Sequence, residues 1–225
     1  MAGGLISGSQ APLPESVAAC TPCHSSGDSN QISEWLASPY SAGLGGLACI
    51  DCHDSRCDGT VRTSSADLDE VATRRDALRG AAGLTVAVDR DGDTIDAEVA
   101  VSNLRVGHLL PSGAAHRKLV LEVTARSTGG SILAPTSGPL LAASDGDGGP
   151  VGGKVFARTT SSSVLRDTRL APFATDVSRF RFTAPDAGPV EVAARLLIVD
   201  DHNEPEEIAR AFMTRRGPVP AVRSH

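Results

Sequence analysis

Two pentapeptides in the first quarter of the chain carry residues that could do chemistry: Cys20-Thr21-Pro22-Cys23-His24 and Cys49-Ile50-Asp51-Cys52-His53. Each places two thiols three positions apart with an imidazole directly after the second. Thiols at that spacing can form thioethers to the two vinyl groups of one porphyrin, and the following imidazole then falls beneath the iron as its fifth ligand. The pattern is the attachment signature of a c-type haem, present twice. Cys20, Cys23, Cys49 and Cys52 are the expected thioether positions of two covalent haems c, with His24 and His53 as proximal ligands. The same four cysteines also satisfy a zinc ribbon, in which four thiolates hold a tetrahedral ion. Histidine placement separates the two readings. With 6 histidines in 225 residues, the odds that one follows both pairs by accident are on the order of one in a thousand, which favours haem.

A proximal ligand leaves each iron a sixth position. The remaining histidines are His108, His116, His202 and His225, and the only methionines are Met1 and Met213. Imidazole is therefore the expected distal ligand, and on both faces it holds the reduction potential lower than methionine would. His108 lies in Gly107-His108-Leu109-Leu110-Pro111-Ser112-Gly113, where Gly and Pro would stiffen a turn that projects the ring from a sheet edge. His116 is the second candidate, ahead of His202 in a polar turn and His225 in a tail. Trp35 and Tyr40 sit between the two motifs in a chain with 3% aromatics, and both are expected to pack on porphyrin faces. Cys57, the fifth cysteine, reads as a partly buried thiol. Asp89, Asp91 and Asp93 have the early spacing of a calcium loop, but no Gly follows at its sixth position and no Glu at its twelfth.

The elements that must position these groups differ along the chain. Residues 13–80 are rich in Ser, Gly, Asp and Pro and show little periodicity, so they cannot build much of an apolar core unaided. Porphyrin rings would supply it. A short helix is expected over 33–38 from a Ser cap, and a longer one over 67–79, with acids at its start and Arg at its end. After Gly83 the texture changes to β-branched runs at 84–88, 94–101, 119–125, 154–159, 177–182 and 190–199. Short strands between Gly, Pro and Asp turns are the mark of an antiparallel sandwich. Asp91-Gly92 between alternating runs predicts a hairpin. Residues 137–153 read as a Gly- and Asp-rich surface loop. Residues 204–215 read as a terminal helix or a last strand, and Pro205 near the start with Glu206 and Glu207 behind it tilts the expectation slightly toward helix. The expected fold is mainly β: an N-terminal dihaem c-type module, poor in helix and rich in loops, over 1–80, then an antiparallel immunoglobulin-like β-sandwich over 81–225.

Net charge of -6 with a pI near 5.5 and scattered Lys and Arg give no basic footprint for nucleic acid. No apolar run reaches the roughly 18 to 20 residues of a membrane span. Haem attachment takes place outside the cytoplasm in most prokaryotic systems, so a periplasmic or extracellular location is expected. The first fourteen residues lack the basic start and apolar stretch of an export signal, and that signal is expected upstream or already removed.

Three segments carry a family resemblance. Glu34-Trp35-Leu36-Ala37-Ser38-Pro39-Tyr40 followed by Cys49-Ile50-Asp51-Cys52-His53 resembles the Trp-x-x-Ser-x-His and Cys-x-x-Cys-His run of multihaem cytochromes c of the cytochrome c554 type. Residues 103–117 (NLRVGHLLPSGAAHR) resemble their Asn-x-x-x-Gly-His-x-x-Pro-Thr-Gly segment with its following Arg, and Asp167-Thr168-Arg169-Leu170-Ala171-Pro172 resembles their Asp-Thr-Arg-Ile-x-Pro. The resemblance implies an electron-transfer protein with an N-terminal haem module and a C-terminal β domain, and it strengthens His108 as a distal ligand. Pro39-Tyr40 stands where relatives often have a histidine, and Arg74, Arg75 and Gly80 stand near another such place. Fewer histidines accord with a reduced, two-haem member.

The expected function is that of an electron carrier and not an enzyme, its partners being redox proteins or an extracellular acceptor, with self-assembly into an oligomer or filament as a possible form. The alternatives are a haem enzyme or small-ligand sensor with one open axial site, and a zinc-ribbon binding module.

Overall fold

A computed structural model of the protein describes residues 13, 15–18, 20–25, 30–41, 48–49, 81–113, 116–141, 151–161, 164–200 and 203–216. Among the described residues three short helices come first, α1 (Glu15–Ala18), α2 (Thr21–His24) and α3 (Gln31–Leu36). Eleven strands follow among the described residues: β1 (Gly83–Asp91), β2 (Thr94–Ser102), β3 (Lys118–Ser127), β4 (Ile132–Leu133), β5 (Pro135–Ser137), β6 (Gly152–Phe156), β7 (Arg158–Ser161), β8 (Val164–Asp167), β9 (Thr175–Thr183), β10 (Val190–Asp200) and β11 (Asn203–Arg215). The chain is mainly β and its sheets are antiparallel.

One sheet has the order β1-β2-β9-β5. The other runs β11-β10-β3-β4, with β6 also paired to β3 along the edge that β4 uses further on, and β7 and β8 form a separate hairpin. Period-two patterning decides which faces are buried. Ile95, Ala97, Val99 and Val101 of β2 turn inward beside Val86, Val88, Phe180 and Phe182, and meet Leu119, Leu121, Val123, Val192, Ala194 and Leu196 of the second sheet in one core. The intervening Asp96 and Glu98 face outward and pair across strands with Arg181 and Arg179.

The 91–94 hairpin forms as expected: Asp91 pairs with Thr94, and Gly92 takes φ +57°, the left-handed backbone that glycine adopts without strain. Other expectations require correction. The run at 154–159 is two strands, broken at Ala157, where the Thr168 hydroxyl accepts the Ala157 N–H at 3.0 Å and draws the chain out of the sheet. Residues 203–215 form strand β11, not a helix. Ala209, Ala211 and Met213 alternate inward against the core while Phe212 is exposed, and β11 lies at the sheet edge, where Pro205 at an irregularity of the ladder removes no interior hydrogen bond. Helix α3 starts at Gln31 after Asn30, and Ser33 is not its cap. Its hydroxyl bonds back to the Asn30 carbonyl at 3.1 Å from inside the helix. The helix expected over 67–79 and most of the 137–153 connection lie outside the described residues.

A second, small apolar cluster gathers the N-terminal segment. It consists of Val17, Cys20, Ile32, Trp35, Tyr40 and Ala48, with Leu13 and Cys49 against it.

Candidate functional site

The first attachment motif is wound as a helical turn. Cys20 N–H donates to Val17 O at 3.0 Å and His24 N–H to Cys20 O at 3.1 Å, so Cys20 and His24 stand one turn apart on the same side. Pro22 falls in the first turn of α2, where its missing N–H costs nothing. Cys20 is buried and disulfide-bonded, and His24 is exposed. The His24 ring has its Nδ1 3.2 Å from Gln31 Oε1. With the amide oxygen as acceptor, Nδ1 carries the hydrogen and Nε2 is left as the ligating nitrogen, the form of imidazole that binds a metal with its second nitrogen anchored.

Trp35 and Tyr40, the expected packing residues, are both buried in the cluster that also holds Cys20, with Cys49 against it. They do more than fill space. Gly107 lies against both: a Cβ there would stand 3.4 Å from Trp35 Cδ1 and 3.5 Å from Tyr40 Cβ. Tyr40 Oη donates to Leu104 O at 3.1 Å, and its ring stacks on Phe173 with centroids 5.0 Å apart. Phe173 holds φ +63°, rare for a bulky side chain, fixed by its N–H bond to Asn103 O at 2.7 Å. Trp35 and Tyr40, which lie between the two motifs, thus sit on the 103–113 turn that carries His108.

That turn is built by Asn103, which is fully buried at the end of β2. Its Oδ1 accepts the Val106 N–H at 3.1 Å, and its Nδ2 donates to His108 O at 3.0 Å and Leu170 O at 3.1 Å. Leu110 and Leu170 exchange backbone hydrogen bonds alongside, and Leu110-Pro111 is cis. The His108 Nδ1 lies 3.0 Å from Leu109 O. A carbonyl only accepts, so the tautomer argument of His24 repeats: hydrogen on Nδ1, lone pair on Nε2.

Glu34 meets this turn from α3. Its Oε2 accepts the Leu109 N–H and the Ser112 hydroxyl, each at 3.2 Å, while its Oε1 accepts Arg169 Nη1 at 2.8 Å. Arg169 reaches Asp167 through Nε at 2.9 Å and Nη2 at 2.7 Å. The Glu34 and Arg169 side chains are only 9% and 8% exposed, so this is a buried ion pair. The Arg169 hydrogen bond holds the Asp167 carboxyl below its usual range. Burial works against the Arg169 charge, but the bonds to Asp167 and the charge of Glu34 outweigh it and raise its pKa.

His116, the other expected distal ligand, is placed differently. Its Nε2 lies 3.2 Å from Asp200 Oδ1, and Arg117 contacts the other oxygen of that carboxylate at 3.4 Å. The nitrogen that would ligate iron faces a carboxylate at the foot of β10. Cys23 belongs to α2 and Cys49 sits against the N-terminal cluster. Cys52, His53, Cys57, His202 and His225 lie outside the described residues. Among the described residues no three His, Cys, Asp or Glu side chains gather as a metal site, and no helix is long and apolar enough to cross a membrane.

The polar groups that organise the turn, Asn103, Glu34 and Arg169, were visible in the sequence as motif members without a role. Gln31, seven residues after His24, and the positive φ of Phe173 had no sequence signal.

These residues suit haem c in residue type: two cysteines on one helical turn, thiols once the Cys20 disulfide is reduced, and two imidazoles each anchored through Nδ1. No family model matches the chain, and no curated protein does. Among solved structures it is similar to a penta-haem cytochrome c552 from Thermochromatium tepidum, at 20% identity and a TM-score of 0.59, over 88% of this chain and 55% of that one. The chain spans about half the length of that protein, and the likeness shows that it shares a fold with a multihaem cytochrome c. A PapD-like domain of human CEP192 (TM-score 0.28, 9% identity, 61% of this chain and 84% of that one) and the CooA pilin subunit of enterotoxigenic Escherichia coli (TM-score 0.26, 11% identity, 60% and 88%) are too distant to carry an argument.

Proposed function

We propose that the protein is a dihaem c-type cytochrome that carries electrons between redox partners outside the cytoplasm. Cys20 and Cys23 with His24, and Cys49 and Cys52 with His53, would hold the two groups, and His108 would be the sixth ligand of one iron. Haem c, when bound, supplies a one-electron iron couple whose potential depends on axial ligands, burial and nearby charge. Everything else is done by the chain: residues 1–80 form the haem module, 81–225 the β domain that braces it, and Trp35 and Tyr40 give the porphyrins an apolar wall. The Cys20 sulfur must be reduced before it can form a thioether. Redox proteins or an extracellular acceptor are the partners, and assembly into a filament would extend the reach of two haems.

The observation that carries this reading is the His108 turn: an imidazole with Nδ1 anchored 3.0 Å from Leu109 O, on a loop seated against Trp35 and Tyr40 between two haem-attachment motifs. The test is export with the haem-attachment machinery, followed by intact mass under denaturing conditions and optical spectra with and without carbon monoxide. The expected results are the added mass of two haems, low-spin spectra, and carbon monoxide binding that appears on His108→Ala and not on His116→Ala. A colourless protein with unmodified mass overturns the proposal. Carbon monoxide binding by the unaltered protein would point to an open axial site and a ligand-binding role.

A further inference from the structure

We propose that Glu34 is the positioning residue for the His108 imidazole, acting through the single peptide plane that joins His108 to Leu109; the inference rests on His108 being an axial ligand. Both edges of that plane are held. Its carbonyl, from His108, accepts Asn103 Nδ2 at 3.0 Å, and its N–H, from Leu109, donates to Glu34 Oε2 at 3.2 Å. The carbonyl of the same Leu109 meets His108 Nδ1 at 3.0 Å. That oxygen lies in the next peptide plane, where the Leu110 N–H donates to Leu170 O at 2.9 Å; turning the His108–Leu109 plane changes ψ of His108 and φ of Leu109, the torsions that set the ring against it, so the carboxylate on α3 steadies the direction of Nε2 from a distance of 75 residues in sequence.

The Glu34 side chain is itself locked. Its second oxygen is bound by Arg169 at 2.8 Å, and Arg169 is clamped through its Nε and Nη2 to Asp167, so the carboxylate cannot rotate without breaking a buried ion pair. Ser112 donates its hydroxyl at 3.2 Å to Oε2, the oxygen that accepts the Leu109 N–H. Helix α3 lies between the two attachment motifs. The arrangement therefore ties the segment that carries the proximal ligands to the turn that carries the distal one. A neutral amide cannot reproduce it, because one of its two ends must turn an N–H toward either Arg169 or the Leu109 N–H.

The experiment uses the exported, haem-loaded chain and compares Glu34→Gln, Ser112→Ala and, as a remote control, Asp96→Asn. Binding of added imidazole is titrated optically, and exchange of the Leu109 amide is followed by nuclear magnetic resonance. Glu34→Gln should tighten imidazole binding about tenfold or more, the worth of a charge-assisted hydrogen bond to the turn, and should lose protection at Leu109. Ser112→Ala should move the same way by about threefold, and Asp96→Asn should match the unaltered protein. If Glu34→Gln fails to fold, Ser112→Ala decides. Unchanged imidazole affinity in the variant that folds overturns the proposal while leaving His108 as ligand. If His108→Ala itself leaves the spectrum unchanged, the ligand assignment fails instead.

Discussion

Asn103→Ala should cost about 3 kcal/mol, and the reasoning can be checked bond by bond. The side chain makes three hydrogen bonds, to Val106 N–H at 3.1 Å, His108 O at 3.0 Å and Leu170 O at 3.1 Å, from a site with no solvent exposure. At about 1 kcal/mol each they sum to about 3 kcal/mol. Leu170 O retains the Leu110 N–H at 2.9 Å, which limits the loss there. Truncation also leaves a small void, which prevents the figure from falling much lower. Set against a domain stability of about 5–15 kcal/mol, the change is large. Asn103→Asp should be worse still at neutral pH. A carboxylate oxygen would replace Nδ2 opposite two carbonyl oxygens, and burying an anion that keeps only the Val106 N–H as donor costs several kcal/mol. Urea unfolding of haem-matched samples, followed by far-ultraviolet circular dichroism, gives the ranking. A loss under about 0.5 kcal/mol for Asn103→Ala, or an Asn103→Asp protein as stable as the original, would refute the idea that this amide holds the turn together.

Other expectations follow from the same geometry. Arg169→Met strands the buried Glu34 carboxylate and should cost about 3–5 kcal/mol, much of it recovered in the double variant Glu34→Leu/Arg169→Met; strictly additive losses in a double-mutant cycle would contradict the buried pair. The Asp167 carboxyl is held below its ordinary value of 3.8 by the Arg169 hydrogen bond. A depressed carboxylate contributes stability that is fully present above its unfolded pKa and disappears as pH falls through the folded value. The stability gap between the unaltered protein and Asp167→Asn should therefore be flat above about pH 5 and close below about pH 4; a gap that widens in acid would reverse the sign. At Gly153 an added Cβ would run into the Leu121 carbonyl oxygen and lie 2.8 Å from the Leu141 side chain, so Gly153→Ala should detach β6 from β3 and cost about 2 kcal/mol or more. Gly92→Asn, where nothing lies within 4 Å and φ is +57°, should be tolerated, and hydrogen exchange along β3 would separate the two.

Much was legible locally. The attachment motifs need only five consecutive residues, because the thiol spacing and adjacent imidazole are fixed by near neighbours in the chain. The hairpin at Asp91-Gly92 and the buried alternation of Ile95, Ala97, Val99 and Val101 were equally readable, since period two and a left-handed glycine are set by near neighbours. Where local cues competed with pairing, the sheet prevailed. The acidic start of 204–215 resembles a helix N-terminus, but β10 offered an open edge, and inward Ala211 and Met213 fitted the core. Ser33 looked like a cap, while Asn30 took that place.

The type of chemistry the chain can support came from sequence alone, because it is written in residue identities at short spacing. What only the tertiary structure decided is which histidine is braced and by what. His108 and His116 are eight residues apart and alike as letters, yet one ring is anchored through Nδ1 on Leu109 O and the other presents Nε2 to Asp200. Glu34 meets Arg169 across 135 residues. Contacts at that separation depend on how two sheets and a helix pack, and no local pattern encodes them.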